Sequence, residues 1–184
     1  MKSKLKLTLA HPNQLEQAFE RYYPAVFRYF RYRGADTDTA DDLASSVFER
    51  ALANLQTYDS NKSQIQTWLF SIARNLASNH WKAEILHPTT SLDDLESLAR
   101  DDPPPEENLI LGQDKQDILQ ALQTLDKLSI EIIALKFGGR LTNYQISEIT
   151  HLQSNYVGVI LYRSLLKLRT ILATRQLEID HERK

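Results

Sequence analysis

The stretch Gln66–Glu84, QTWLFSIARNLASNHWKAE, holds both tryptophans of the chain together with Arg74, Asn75, Asn79 and Lys82. Indole rings stack on bases, cationic side chains neutralise phosphates, and amides bond to base edges. Residues of these types on one helix face could therefore hold a nucleic-acid strand. At about 100° per residue, Trp81 lies about 220° round the helical wheel from Trp68. Leu69, Ile72, Ala73 and Leu76 form one apolar stripe with Trp68 at its edge, whereas Trp81 falls with Phe70, Arg74 and Ser78. Two arrangements fit this pattern: a helix with one buried and one strand-binding face, or a helix packed on both sides.

Other chemistry finds little support. No nucleophile–base set, glycine-rich phosphate loop or paired-carboxylate motif stands out, so an enzyme is not expected. The chain has no cysteine, which removes disulfides, thiolate zinc sites and thiol catalysis, and fits a reducing cytoplasm. His11, His80, His87, His151 and His181 show no ligand spacing, so no metal and no cofactor is expected. The opening MKSKLKLTLAHPN has too short an apolar run for a signal-peptide core. No stretch approaches the roughly 20 apolar residues of a membrane span. A cytoplasmic protein with neither a membrane nor a small-molecule partner is the expectation.

The elements that must position the strand-binding types are helical. Only 5 glycines and 6 prolines in 184 residues, with few alternating β-rich runs, favour an all-α fold. The net charge of −2 argues against nucleic acid until its distribution is read. Residues 1–83 hold 11 basic and 8 acidic residues, residues 84–113 hold 1 and 8, and residues 114–184 hold 10 and 8. The acidity is thus confined to a central segment that also carries Pro103, Pro104 and Pro105, which exclude a continuous helix. Two small helical domains, 1–83 and 114–184, joined by an acidic linker, 84–113, are expected. Ser91 can cap a short helix within the linker.

In the first domain, Leu15, Phe19, Tyr22, Tyr23, Val26, Phe27 and Phe30 are spaced for a buried face, with Pro24 expected to kink or divide the helix and Gly34 to end it. The next helix has a cap near Thr37 or Asp38 and core candidates Leu43, Val47, Phe48, Ala51 and Leu55. Asp59–Gln64 is a polar turn. In the second domain, Gly138 and Gly139 stop one helix, and Thr142 caps another over Asn143–Ile149. A tight turn then leads to a long helix starting near Gln153 or Ser154. Ile146, Ile149, Leu152, Val157 and Leu161 are spaced to pack these two helices as a helix-turn-helix.

Taken together, YDSNKSQIQTWLFSIARNLASNHWK, DTADDLASSVFERAL and LTNYQISEITHLQSNYVGVILYRSLLKLR resemble the extracytoplasmic-function sigma factors, the minimal two-domain sigma subunits of bacterial RNA polymerase. The resemblance runs from about Leu15 to Leu172. It implies a non-enzymatic initiation factor that binds core polymerase and promoter DNA and captures bases as the duplex opens. Asp41, Asp42, Leu43, Ser46 and Glu49 would lie against the polymerase. Asp59, Ser60, Asn61, Lys62, Ser63 and Gln64 would form the loop that reads the minus-ten element, beside Arg74, Asn75, Asn79, Trp81 and Lys82. The acidic linker would thread the RNA path of the polymerase. Ser154, Asn155, Tyr156, Arg163 and Lys167 would meet upstream DNA.

Where the family's recognition helix usually reads Thr-Val-Lys-Ser-Arg-Leu, this chain has Tyr156, Val157, Gly158, Val159, Ile160 and Leu161. Aliphatic groups give neither phosphate neutralisation nor base-edge bonds. Upstream DNA should therefore be read weakly, with Tyr156, Val159 and Ile160 forming an exposed patch suited to protein. The expected partners become polymerase, promoter DNA, and an anti-sigma factor or a second DNA-bound recruiting protein. Plainer readings stand beside these: Trp81 as a core residue, Lys62 as a solvated turn residue, Asp41 and Asp42 as acids at a helix start, the linker as a solubilising tether, and a rotated recognition helix whose Asn155, Tyr156 and Arg163 read DNA in the usual groove. The rival function classes are a stand-alone helix-turn-helix regulator and a sigma-derived protein-binding adaptor.

Overall fold

The computed structural model describes residues 12–86 and 116–182, with side chains placed for 17–83 and 116–174. Seven helices occupy them, and the described residues contain no strand. They are α1 (Pro12–Tyr32), α2 (Thr37–Ala53), α3 (Ile65–Leu86), α4 (residues 116–123), α5 (Lys127–Ile133), α6 (Asn143–Thr150) and α7 (Ser154–Glu182). A 3₁₀ turn, Leu55–Thr57, follows α2, and a π-helical turn, Ala134–Gly138, extends α5. Most of the expected linker, including Ser91 and the three prolines, lies outside the described residues, as does the side chain of Leu15.

Helix α1 buries Ala18, Ala25, Val26, Tyr29 and Phe30, a stripe at intervals of three, four and seven. It runs on through Pro24 as one helix, so the proline does not divide it. Pro24 and Glu20, whose carbonyl the ring deprives of its donor, are both exposed, so water can take the missing bond. Gly34 turns the chain at φ 103°, a value that favours glycine. Asp36, one residue before the expected cap, starts α2: its carboxylate accepts from the Thr39 N–H at 2.7 Å and the Thr39 hydroxyl at 2.8 Å. Ala40, Ala44, Val47, Phe48 and Ala51 then face inward.

Thr142 caps α6 as expected, and Gln145 returns the bond in a capping box. His151 at φ 60° makes the sharp turn into α7. Ile146, Ile149, Val157 and Leu161 are buried between the two helices, completing the helix-turn-helix.

One apolar core joins the helices before residue 87 to those after residue 115. Val26 and Phe30 of α1, Leu69 and Phe70 of α3, Ile132 of α5, Leu135, Ile146 and Val157 all belong to it. Fully burying a side chain such as Phe30 or Phe70 contributes about 1.5–3 kcal/mol. The closest approach is at Gly138, where an added Cβ would stand 2.9 Å from the backbone nitrogen and Cα of Tyr29. The helices thus meet backbone to backbone.

Burial alone would raise the pKa of Asp36, but the bonds from Thr39 and the nearby Arg31 outweigh it and leave the pKa lowered. A depressed carboxylate pKa stabilises the fold above the unfolded value near 3.8, and that contribution is lost as pH falls through the folded value. Asp36→Ala should therefore cost about 1 kcal/mol in urea denaturation at pH 7. The gap between the two proteins should close in acid. A gap that widens on acidification would contradict this account of the cap.

Candidate nucleic-acid interface

The polar turn ahead of α3 is held by its own side chains. The Asp59 carboxylate accepts from the Asn61 N–H at 2.9 Å and the Asn61 amide at 3.0 Å, and these bonds lower its pKa. The Asp59 carbonyl accepts from the N–H groups of Lys62 and Ser63. Tyr58 ties the turn to α3: its hydroxyl donates to the Ser63 carbonyl at 3.1 Å, and its ring lies 5.0 Å from that of Trp68. Ser60, Asn61, Lys62 and Gln64 are left exposed, while Asp59 and Ser63 are half-buried.

Helix α3 carries this turn and is packed on both sides. Leu69, Ala73 and Leu76 are buried, as the first stripe requires. Phe70, which spacing grouped with Trp81, is also fully buried, edge-on to Tyr29 at 5.7 Å. What remains outward is a narrow strip at Asn75, Ser78, Asn79 and Lys82. Arg74 is half-buried and donates to the Ile149 carbonyl at 3.3 Å. Trp81 is half-buried beneath the Arg33 guanidinium, 4.8 Å from the ring centroid, with His80 edge-on at 5.1 Å. Trp68 packs against the core.

The C-terminal helices face the same region. A cleft separates the turn from Thr142, Tyr144 and Glu148, and across it the Gln145 side-chain amide donates to the Gln64 side-chain oxygen at 3.1 Å. The strip on α3 and the turn thus lie next to one another, whereas Gln64, Arg74 and Trp81 are each engaged by other side chains or backbone.

A second surface lies on α2. Asp41, Asp42 and Glu49 are exposed, and Leu43 and Ser46 are half-buried beside them. The Tyr23 hydroxyl donates to Asp41 at 2.5 Å; burial first, then that carboxylate, raises the tyrosine pKa. Phe19, read from spacing as core, is 44% exposed, and Leu52 is 61% exposed. Phe19 stacks 4.7 Å from Tyr23 and 4.9 Å from Phe48. Because it shares a helical face with Val26, spacing could not reveal its exposure. Leu52 falls off the Ala44–Val47–Phe48–Ala51 stripe, so its exposure was readable. These apolar groups border the acids and were missed as surface residues.

Helix α7 corrects the expected aliphatic patch. Ile160 is only 8% exposed, because Val157, Ile160, Leu161, Ser164 and Leu168 form its inward face. Tyr156 and Val159 are exposed, with Asn155, Tyr162, Arg163 and Leu166 around them. Ser154 is half-buried at the first turn, and the Lys167 ammonium donates to the Thr124 carbonyl at 2.9 Å. Among the described residues, no group of carboxylates and histidines could hold a metal, and no helix is long and apolar enough to cross a membrane.

Residues 18–84 match the family described as Sigma-70 region 2. The chain is 25% identical over 154 residues to the ECF RNA polymerase sigma factor BldN of Streptomyces coelicolor, covering 84% of this chain and 58% of that one. It is 26% identical over 162 residues to the RNA polymerase sigma factor YlaC of Bacillus subtilis, covering 88% and 93%. It thus spans little more than half of one curated relative and nearly all of the other. Among solved structures, the sigma factor RpoE in complex with the anti-sigma factor NepR, from Bartonella quintana, shares the fold at TM-score 0.68 and 19% identity, covering 88% of this chain and 98% of that one. CnrH in complex with the cytosolic domain of CnrY shares it at TM-score 0.66 and 21% identity, covering 91% and 92%.

The half-exposed Gly158 in the first turns of α7 has open space, since an added Cβ would meet only Asn143 at 3.7 Å. Gly158→Ala should raise stability by about 0.5–1 kcal/mol through helix propensity. Urea denaturation measures it, and a loss of stability would contradict the packing described.

Proposed function

We propose, for a chain that belongs to the extracytoplasmic-function group of the sigma-70 family, that it binds core bacterial RNA polymerase and directs promoter recognition, strand opening and initiation. The observation that carries this is the coincidence of the region 2 match with the geometry: residues 18–84 hold both the self-bonded turn and the polar strip of α3. Residues 1–83 would form the region-two unit, 84–113 the linker, and 114–184 the region-four unit. The site of action would be the cytoplasm.

On this reading the polymerase meets Asp41, Asp42, Leu43, Ser46 and Glu49. Phe19 and Leu52 extend that surface, since an acidic docking face gains affinity from adjoining apolar anchors. The turn from Asp59 to Gln64, with Arg74, Asn75, Asn79, Trp81 and Lys82, receives the opened minus-ten strand: cations neutralise phosphates, and the indole offers a stacking face. The family's region-four role falls to Ser154, Asn155, Tyr156, Arg163 and Lys167. The outward Val159, Tyr162 and Leu166 among them support weak reading of upstream DNA and help from a second DNA-bound protein. Since RpoE and CnrH are each described with a bound partner, an anti-sigma factor is a proposed partner here too.

Two experiments test this. Asp41→Arg together with Asp42→Arg should abolish co-purification with core polymerase while circular dichroism stays helical. Like-charge contact on a docking face costs several kcal/mol. Recovery of core enzyme at the unaltered yield would refute the docking face. Replacing Asn61, Lys62 and Trp81 with alanine should leave core binding intact and weaken strand opening, with loss of a stacked aromatic alone costing about 1–3 kcal/mol. Unchanged permanganate reactivity, on a genomic fragment that the unaltered chain transcribes, would remove these residues from the strand-binding site.

A further inference from the structure

Arg140 holds a backbone shape that arginine rarely takes. Its φ is 54°, in the left-handed region, directly after Gly138 and Gly139. A third glycine would be free of strain there, whereas a residue with a Cβ is not. The residues on either side hold this shape in place. The Gly139 N–H donates to the Ala134 carbonyl at 3.0 Å, and the Gly139 carbonyl accepts from the Gln66 side-chain amide at 2.9 Å. The Leu141 N–H donates to the Leu135 carbonyl at 3.2 Å, and the Leu141 side chain is buried. The backbone that carries the Arg140 side chain is thus fixed on both sides.

That position brings it near another cation. At Gly138 an added Cβ would stand 3.1 Å from the Arg28 carbonyl carbon, so the π-helical turn lies directly on this part of α1. Arg28 is half-buried, and Arg140, two residues past the contact, is exposed. Burial first, then the Arg140 charge, lowers the Arg28 pKa, while the nearby Tyr32 acts the other way. No carboxylate is among the groups that act on Arg28, and among the described residues neither arginine pairs with one. Arg33, further along α1, has Glu131 for that purpose. A half-buried guanidinium without a counter-charge, beside a second of the same sign, is unfavourable until something supplies the missing charge.

We propose that Arg28 and Arg140 together bind one phosphate dianion where the π-helical turn crosses α1, with the Tyr32 hydroxyl as a further donor. A guanidinium offers a planar fork of N–H donors that matches two oxygens of an oxyanion. A carboxylate fills one fork. Two forks carried by different elements call for acceptors on more than one side, which a tetrahedral phosphate provides. Charge narrows the ligand further. Inorganic phosphate or a phosphomonoester carries nearly two negative charges at neutral pH and offsets both arginines, whereas a strand phosphodiester carries one. The site is therefore assigned to free phosphate or a phosphomonoester, and not to the backbone of promoter DNA. It does not depend on the sigma reading. An occupied site replaces repulsion across the turn with charge-assisted bonds, so the ligand stabilises the packing of the turn on α1.

The test is equilibrium dialysis of the full chain against radiolabelled inorganic phosphate, at constant ionic strength set with chloride and without polymerase. The unaltered chain should bind one phosphate. Arg28→Gln and Arg140→Gln, each checked for helicity by circular dichroism, should weaken binding about tenfold or more, the loss expected for a charged hydrogen-bond partner. Arg50→Gln, which removes an exposed cation from α2, should bind as the unaltered chain does. Methyl phosphate should displace the label at a lower concentration than an oligonucleotide that lacks terminal phosphates. In phosphate-free buffer Arg140→Gln should be no less stable to urea than the unaltered chain, because it removes the repulsion. Absence of stoichiometric phosphate, or Arg50→Gln weakening binding as much as Arg140→Gln does, overturns the site. Displacement by the oligonucleotide at the lower concentration overturns its assignment to a dianion. A loss of stability in phosphate-free Arg140→Gln overturns the repulsion on which the site rests.

Discussion

The carboxylate of Glu131 is the constraint on which the arrangement of this molecule turns. It is buried between the Tyr29 hydroxyl and the Arg33 guanidinium, and no apolar contact could compensate its lost hydration. Everything nearby is consistent with that placement. Tyr29 is driven well above its ordinary pKa, by burial first and then by the adjacent carboxylate. Arg33 can lie over Trp81 because Glu131 fixes its direction. Gly138 admits the Tyr29 backbone at the distance the bond requires. Apolar packing then fills in around a polar centre that sets register, which is the best-attested use of a buried ion pair.

Much of the fold could be read from spacing and end signals. The stripes of α1 and α2, the Thr142 cap and the buried pairs of the helix-turn-helix all follow from local rules. Where the sequence left a choice or misled, the physical reasons are separate. Periodicity left Phe70 open between an outward face and a second packed face, because it gives the angle between side chains and not what lies opposite them. Alignment to a family's DNA-reading position places Ile160 outward, but it shares the face of Val157 and Ser164 and is buried with them. Pro24 does not divide α1, because Glu20, whose carbonyl loses its donor, is exposed to solvent. The contact between the halves left no local trace. Glu131 reads as an ordinary helix acid until Tyr29 and Arg33, about a hundred positions away, are brought beside it.

The proposed function uses the same chemistry twice. Cations, amides and an indole ring suit a nucleic-acid strand. They also satisfy carbonyls, amides and a carboxylate within the chain, and the closed arrangement takes that second option at Gln64, Arg74 and Arg33. Lys62, Asn75, Asn79 and Lys82 remain exposed at the rim, and Asn61 is exposed there while bonded to Asp59.

If Glu131 sets how the two halves meet, the free chain has one defined distance between α2 and α7. Because the sequence has no cysteine, Arg50→Cys with Thr170→Cys places two unique spin labels on exposed positions of α2 and α7. Double electron–electron resonance should give one narrow distance distribution, which Glu131→Gln should broaden. A broad distribution in the unaltered chain, or the same narrow distance in Glu131→Gln, would contradict the role given to Glu131.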